Sequence, residues 1–100
     1  MFSKAGTISL TEYRIAETNS FCRKITSKKF SALQNKLRVY VYPLLKRNPY
    51  CGPNIKKLKG TEYKSIFRYR LGNYRLFYKI ATDSAIVFIL DIAHRQNAYQ

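Results

Sequence analysis

Hydrophobic and polar positions divide the chain into a helical half and a strand half. Tyr13-Arg14-Ile15-Ala16-Glu17-Thr18 alternates, with Tyr13, Ile15 and Glu17 on one side, and predicts a short strand. Thr18, Asn19 and Ser20 are helix-start residues, so a short helix burying Phe21 and Ile25 is expected next. Phe30, Leu33, Leu37, Tyr40, Val41, Leu44 and Leu45 then recur at three- and four-residue steps. That period predicts a long amphipathic helix, with Lys29, Lys36, Arg38, Lys46 and Arg47 mostly off its apolar stripe. Pro43 lies inside it and predicts a kink near Tyr42.

Asn48 to Asn54 holds prolines, a glycine and asparagines, and reads as a turn-filled loop followed by the basic segment Ile55–Gly60. Beyond it the period changes to two. Phe67, Tyr69 and Leu71 share one face and Arg68 and Arg70 the other; past the turn signal Gly72-Asn73, Tyr74, Leu76, Tyr78 and Ile80 oppose Arg75, Phe77 and Lys79. Ala85–Ala93 is almost wholly apolar, the pattern of a central strand covered on both faces. The expected fold is α+β: a strand, a two-helix hairpin whose second helix is long and kinked near Pro43, and a three-stranded antiparallel meander, with the helices on one face of the sheet. Residues 1–12 are expected to be a loose N-terminal extension and residues 13–100 a single domain.

Composition adds the kind of partner. Nineteen Lys and Arg against five acids give a net charge of +14, and no acid occurs between Glu17 and Glu62. Natural surfaces usually mix signs, so the imbalance predicts a polyanion-binding surface. No apolar run is long enough to span a bilayer and the first ten residues lack a signal-peptide core, so a cytoplasmic, membrane-free protein is expected. Cys22 and Cys51 are isolated and His94 is the single histidine, which argues for reduced structural thiols and against a metal site; no cofactor is expected.

The candidate chemistry is at the hairpin and the C-terminus. A two-residue turn at Gly72-Asn73 brings Arg68, Arg70 and Arg75 to one sheet face, and the last strand ends in His94-Arg95 with Tyr99 four residues on. Arginines grip phosphate with paired hydrogen bonds, an exposed tyrosine stacks on an unpaired base, and histidine titrates near neutrality. Each residue alone has a plain structural reading: solvent-face strand residues, a strand cap, a frayed end. Like charges gathered on one face repel unless an anion binds them, and this favours the functional reading.

Three stretches in order, Asn48-Pro49 through Gly52-Pro53-Asn54-Ile55-Lys56-Lys57-Leu58-Lys59-Gly60, Arg68-Tyr69-Arg70-Leu71-Gly72-Asn73-Tyr74-Arg75-Leu76-Phe77-Tyr78, and His94-Arg95 with Tyr99, resemble toxins of the RelE/ParE superfamily from about Tyr13 onward. The resemblance implies a toxin of a type II toxin–antitoxin system, bound by an acidic antitoxin whose C-terminal segment wraps it. RelE-like members cut mRNA on the ribosome, and ParE-like members inhibit DNA gyrase without catalysis. For this chain it implies a metal-independent endoribonuclease with Arg68, Arg70, Arg75, His94, Arg95 and Tyr99 in the catalytic site and Lys56, Lys57 and Lys59 on the RNA. The gyrase inhibitor is the alternative, and a basic RNA-binding module without activity is a third. Some RelE-like members carry lysine where this chain has Arg68 and Arg70. Arginine stays protonated and cannot act as a base, so His94 and then Tyr99 are the candidates for accepting the 2′-hydroxyl proton.

Overall fold

A computed structural model describes residues 12–59 and 65–97. The expected N-terminal extension, apart from Glu12, and Tyr99 lie outside these residues. Strand β1, Arg14–Glu17, leads into helix α1, Asn19–Ile25, whose N-cap Thr18 accepts a hydrogen bond from the Phe21 amide. A 3₁₀ turn at Lys28–Phe30 opens the long helical segment: α2 at Ser31–Lys36, a π-helical turn at Leu37–Val41, and α3 at Tyr42–Arg47. Strands β2 (Ile55–Lys57), β3 (Ile66–Leu71), β4 (Tyr74–Ala81) and β5 (Ile86–His94) follow, and a 3₁₀ turn takes Arg95–Asn97.

The π turn is how the helix accommodates Pro43. Proline has no N–H to give and its ring collides with the carbonyl four residues back. The Tyr42 amide instead reaches the Leu37 carbonyl five residues back, and Pro43 then falls in the first turn of α3, where no amide donor is required. The extra residue in that turn also moves the stripe. Leu37, Val41 and Leu45 are buried, but Tyr40, expected on the core face, is 58% exposed.

The sheet order is β1-β5-β4-β3-β2, antiparallel throughout except for β1 beside β5. Its core face carries Tyr69, Leu76, Tyr78, Val87, Ile89 and Ile92 against Phe21, Ile25, Phe30, Leu37, Val41 and Leu45 from the helical segments. Two expectations change. The basic segment at Ile55 contributes a short strand, β2, on the β3 edge. And β5 is covered on one face only, since Phe88 on the other is 37% exposed. The β4–β5 register slips after Phe77: Phe77 faces Asp91, but Tyr78 faces Ile89, so Leu90 is an extra residue in a bulge. The bulge keeps Val87, Ile89 and Ile92 all on the core side.

Tyr78 ties this core to the loop after α3, its buried hydroxyl donating to the Pro49 carbonyl at 2.7 Å. Tyr78→Phe would leave that carbonyl without a partner and cost about 1–3 kcal/mol, read as a lower denaturant midpoint at unchanged slope. Burial, and secondarily Tyr69, push the Tyr78 phenol well above its ordinary value. The folded state therefore favours the protonated phenol. Its contribution is complete below about pH 10, the unfolded value, and declines as pH rises beyond it. Tyr78→Phe is expected to flatten part of the alkaline loss of stability.

Candidate nucleic-acid interface

The β3–β4 hairpin determines what faces solvent. Gly72 takes φ +59° at the first turn position and Asn73 does not take a positive φ, the pattern of a type II′ turn that glycine admits freely. That turn sets Arg70 directly across from Arg75 and Arg68 across from Phe77. β2 adds Lys56 across from Arg68. These side chains share the sheet face away from the helices, as the hairpin pattern predicts. Arg70 beside Arg75 is a like-charge cross-strand pair, unfavourable in isolation.

Two arginines are anchored at the turn. The Arg75 guanidinium donates through Nη1 to the Gly72 and Tyr74 carbonyls, each at 3.0 Å. The Arg95 amide donates to the Asn73 carbonyl at 2.7 Å, so the end of β5 is held against the same turn. Arg95 itself is exposed. Arg68 is half-buried, and its Nε is buried without a hydrogen-bond partner among the described residues. A buried donor left unmatched is costly in a resting fold, and an anion would relieve it. On this face Asp91 is the single strand carboxylate among the described residues, and Lys24 already holds it at 2.9 Å.

His94 is elsewhere. It pairs with Tyr74 across β4–β5, and the two rings meet edge-on at 5.4 Å, with Tyr74 in turn edge-on to buried Phe30. Its side chain therefore shares the helix-side face, opposite to Arg70 and Arg75. Its Nδ1 accepts the Gln96 amide at 3.4 Å. Of the three lysines, Lys56 is on the arginine face, Lys57 is paired with Phe67 and takes the other face, and Lys59 is exposed beyond β2. The structure thus brings together Arg68, Arg70, Arg75 and Lys56, with Arg95 at the same turn, and separates His94 and Lys57 from them.

A second polar cluster is on the helix side. Tyr42 donates to one Glu17 oxygen at 2.6 Å and the Cys22 thiol approaches the other at 3.4 Å. Desolvation first, then Glu17, pushes both groups' pKa up, the opposite of an activated thiol. Among the described residues no group of three or more His, Cys, Asp or Glu is placed to hold a metal ion, and no helix is long and apolar enough to cross a membrane.

The family model for the ParE toxin of type II toxin–antitoxin systems matches residues 22–99. A putative toxin RelE1 of Methanocaldococcus jannaschii is 33% identical over 73 residues, spanning 73% of this chain and 72% of that protein. Among solved structures, a chain of the RelBE2 toxin–antitoxin complex of Mycobacterium tuberculosis superposes with TM-score 0.64 at 26% identity, over 84% of this chain and 99% of that one. A chain of the RelE–RelB complex of Pyrococcus horikoshii OT3 gives TM-score 0.62 at 21% identity, over 87% and 99%. YafQ of Escherichia coli, at 16% identity and TM-score 0.63 over 89% and 100%, shares the fold. The chain belongs to the RelE/ParE superfamily of type II toxin–antitoxin toxins.

Proposed function

We propose that this toxin is a metal-independent endoribonuclease that cuts mRNA, on the ribosome, and is neutralised by an acidic antitoxin. The carrying observation is the gathering of Arg70, Arg75 and Arg95 around one hairpin turn, with Arg68 and its unmatched Nε on the same face. A base takes the proton of a ribose 2′-hydroxyl, and that oxygen attacks the adjacent phosphate. The bond to the 5′-oxygen breaks as the leaving oxygen gains a proton. The products are a 2′,3′-cyclic phosphate and a 5′-hydroxyl. Guanidinium groups fit the doubly charged phosphorane better than the singly charged diester, which is the differential needed for catalysis. The RelBE2 and RelE–RelB relatives are toxin–antitoxin complexes, and the acid-free tract from Arg23 to Lys59 is the surface offered here to an acidic partner.

The gyrase-inhibitor reading is favoured by the match to the ParE family model. One pair of assays separates the two. The purified chain is incubated with mRNA, with and without ribosomes and with a chelator, beside a gyrase supercoiling reaction. Cleavage that survives chelation, ending in cyclic phosphate, with supercoiling unaffected, is the expected result. Inhibited supercoiling with intact RNA would establish the alternative instead.

A further inference from the structure

The face that carries the arginines also carries an exposed aromatic ring, Phe88, and a partly buried one, Phe77, that the cleavage chemistry leaves unused. Phe88 of β5 is 37% exposed, in the interior of a strand flanked on both sides. Directly across from it are Lys79 on β4 and Ala16 on β1, and Phe77, partly exposed, stands on the same face two residues before Lys79. A lone exposed phenylalanine needs no explanation. This one sits between a cation and an alanine, whose single methyl leaves that flank of the ring open. Along β4, Phe77 is roughly 7 Å from Arg75, and Phe88 is beside the position roughly 14 Å from it, one strand over. Rings set among cations at increasing distance from a phosphate grip match single-stranded nucleic acid, whose bases stack while its backbone seeks charge. An acidic protein segment would use the cations but gains little from an open aromatic face.

We infer that Phe88, with Phe77 between it and the arginines, is a stacking platform for unpaired bases flanking the phosphate held by Arg75, so that the RNA crosses the sheet from β3 toward β1. This rests on the ribonuclease reading and gives it a direction of strand passage. The probe is a short single-stranded RNA methylated at its 2′-oxygens, which binds without being cut. Phe88→Ala is expected to weaken its binding about 5- to 100-fold with the salt dependence unchanged. Phe88→Tyr should bind as the parent does. Lys79→Ala should instead lower the slope of log affinity against log salt by about one. Unfolding midpoints of all variants report whether the fold is kept; Phe88→Leu, of similar bulk without a π face, guards against a packing effect.

Wild-type affinity in Phe88→Ala, or full affinity in Phe88→Leu, overturns the platform. So does a Phe88→Ala variant that loses antitoxin affinity and keeps RNA affinity, which would make this face a protein interface. Arg75→Ala in the same assay distinguishes the failures. If it loses RNA while Phe88→Ala does not, only the platform falls. If neither loses RNA, the platform and the phosphate grip of Arg75 both fall, and it is cleavage of unmodified mRNA by the parent chain that decides the ribonuclease reading. If Phe88→Ala alone loses RNA, the platform stands and the arginine assignment does not.

Discussion

Arg75→Ala and Arg95→Ala are each expected to lower mRNA cleavage by about 10²–10³-fold, and expression of either variant should no longer arrest growth. The magnitude is that of removing one preorganised donor from a developing oxyanion. Arg75 is aimed by its side-chain bonds to the Gly72 and Tyr74 carbonyls and so does not have to be ordered as the reaction occurs, and the Arg95 main chain is held at the same turn by its bond to Asn73. Neither is part of the buried core, so unfolding midpoints should move by less than the activity loss implies. Arg75→Lys is the informative companion. It retains the charge but loses the planar fork, so it is expected to bind RNA and cleave poorly. Persistent growth arrest in both alanine variants would remove these arginines from the reaction.

The second large effect is expected at Tyr99. With His94 on the helix side of the sheet, opposite to Arg70 and Arg75, we propose that the acceptor for the 2′-hydroxyl proton comes from elsewhere. Arginine cannot serve. Tyr99 is the remaining candidate in the family pattern. Tyr99→Phe keeps the ring and removes the hydroxyl, and should cost about 10²- to 10⁴-fold in cleavage with RNA binding retained. His94→Gln should cleave within about tenfold of the parent, below the lower bound for removing a general base. The reverse pattern would show that His94 leaves Tyr74 and swings to the arginine side during turnover. If both variants cleave normally, the base is not protein-borne.

The hairpin was legible because a local rule determines it: Gly72-Asn73 between alternating runs dictates the register, and the register dictates that Arg70 meets Arg75. The helical core was legible for the same reason, up to Pro43. Tyr40 was misplaced because the π turn adds a residue to the helical period, and the sequence shows the proline but not where the helix absorbs it. β2 was hidden because Ile55-Lys56-Lys57 is too short to display alternation, and it exists only because β3 offers an edge. In β5 the run Ile86 to Leu90 is apolar at every position, so no polar residue marks which side is out. The exposure of Phe88 and the face of His94 both depend on that missing mark.

The bulge at Leu90 can be put as a matter of parity. In a regular strand each residue's side follows from whether its distance from a reference is odd or even. Ile89 and Ile92 are an odd number of positions apart, yet both are buried, because one residue between them is not counted by the partner strand. Everything after Leu90, including Ala93, His94 and the approach to Arg95, therefore takes its side from the bulge. A homologue with the same terminal residues but a regular ladder at this point would turn its histidine toward the arginines. Aligned letters at the end of this strand thus do not carry their geometry with them. A catalytic role read across such an alignment transfers only where the uncounted residue transfers too.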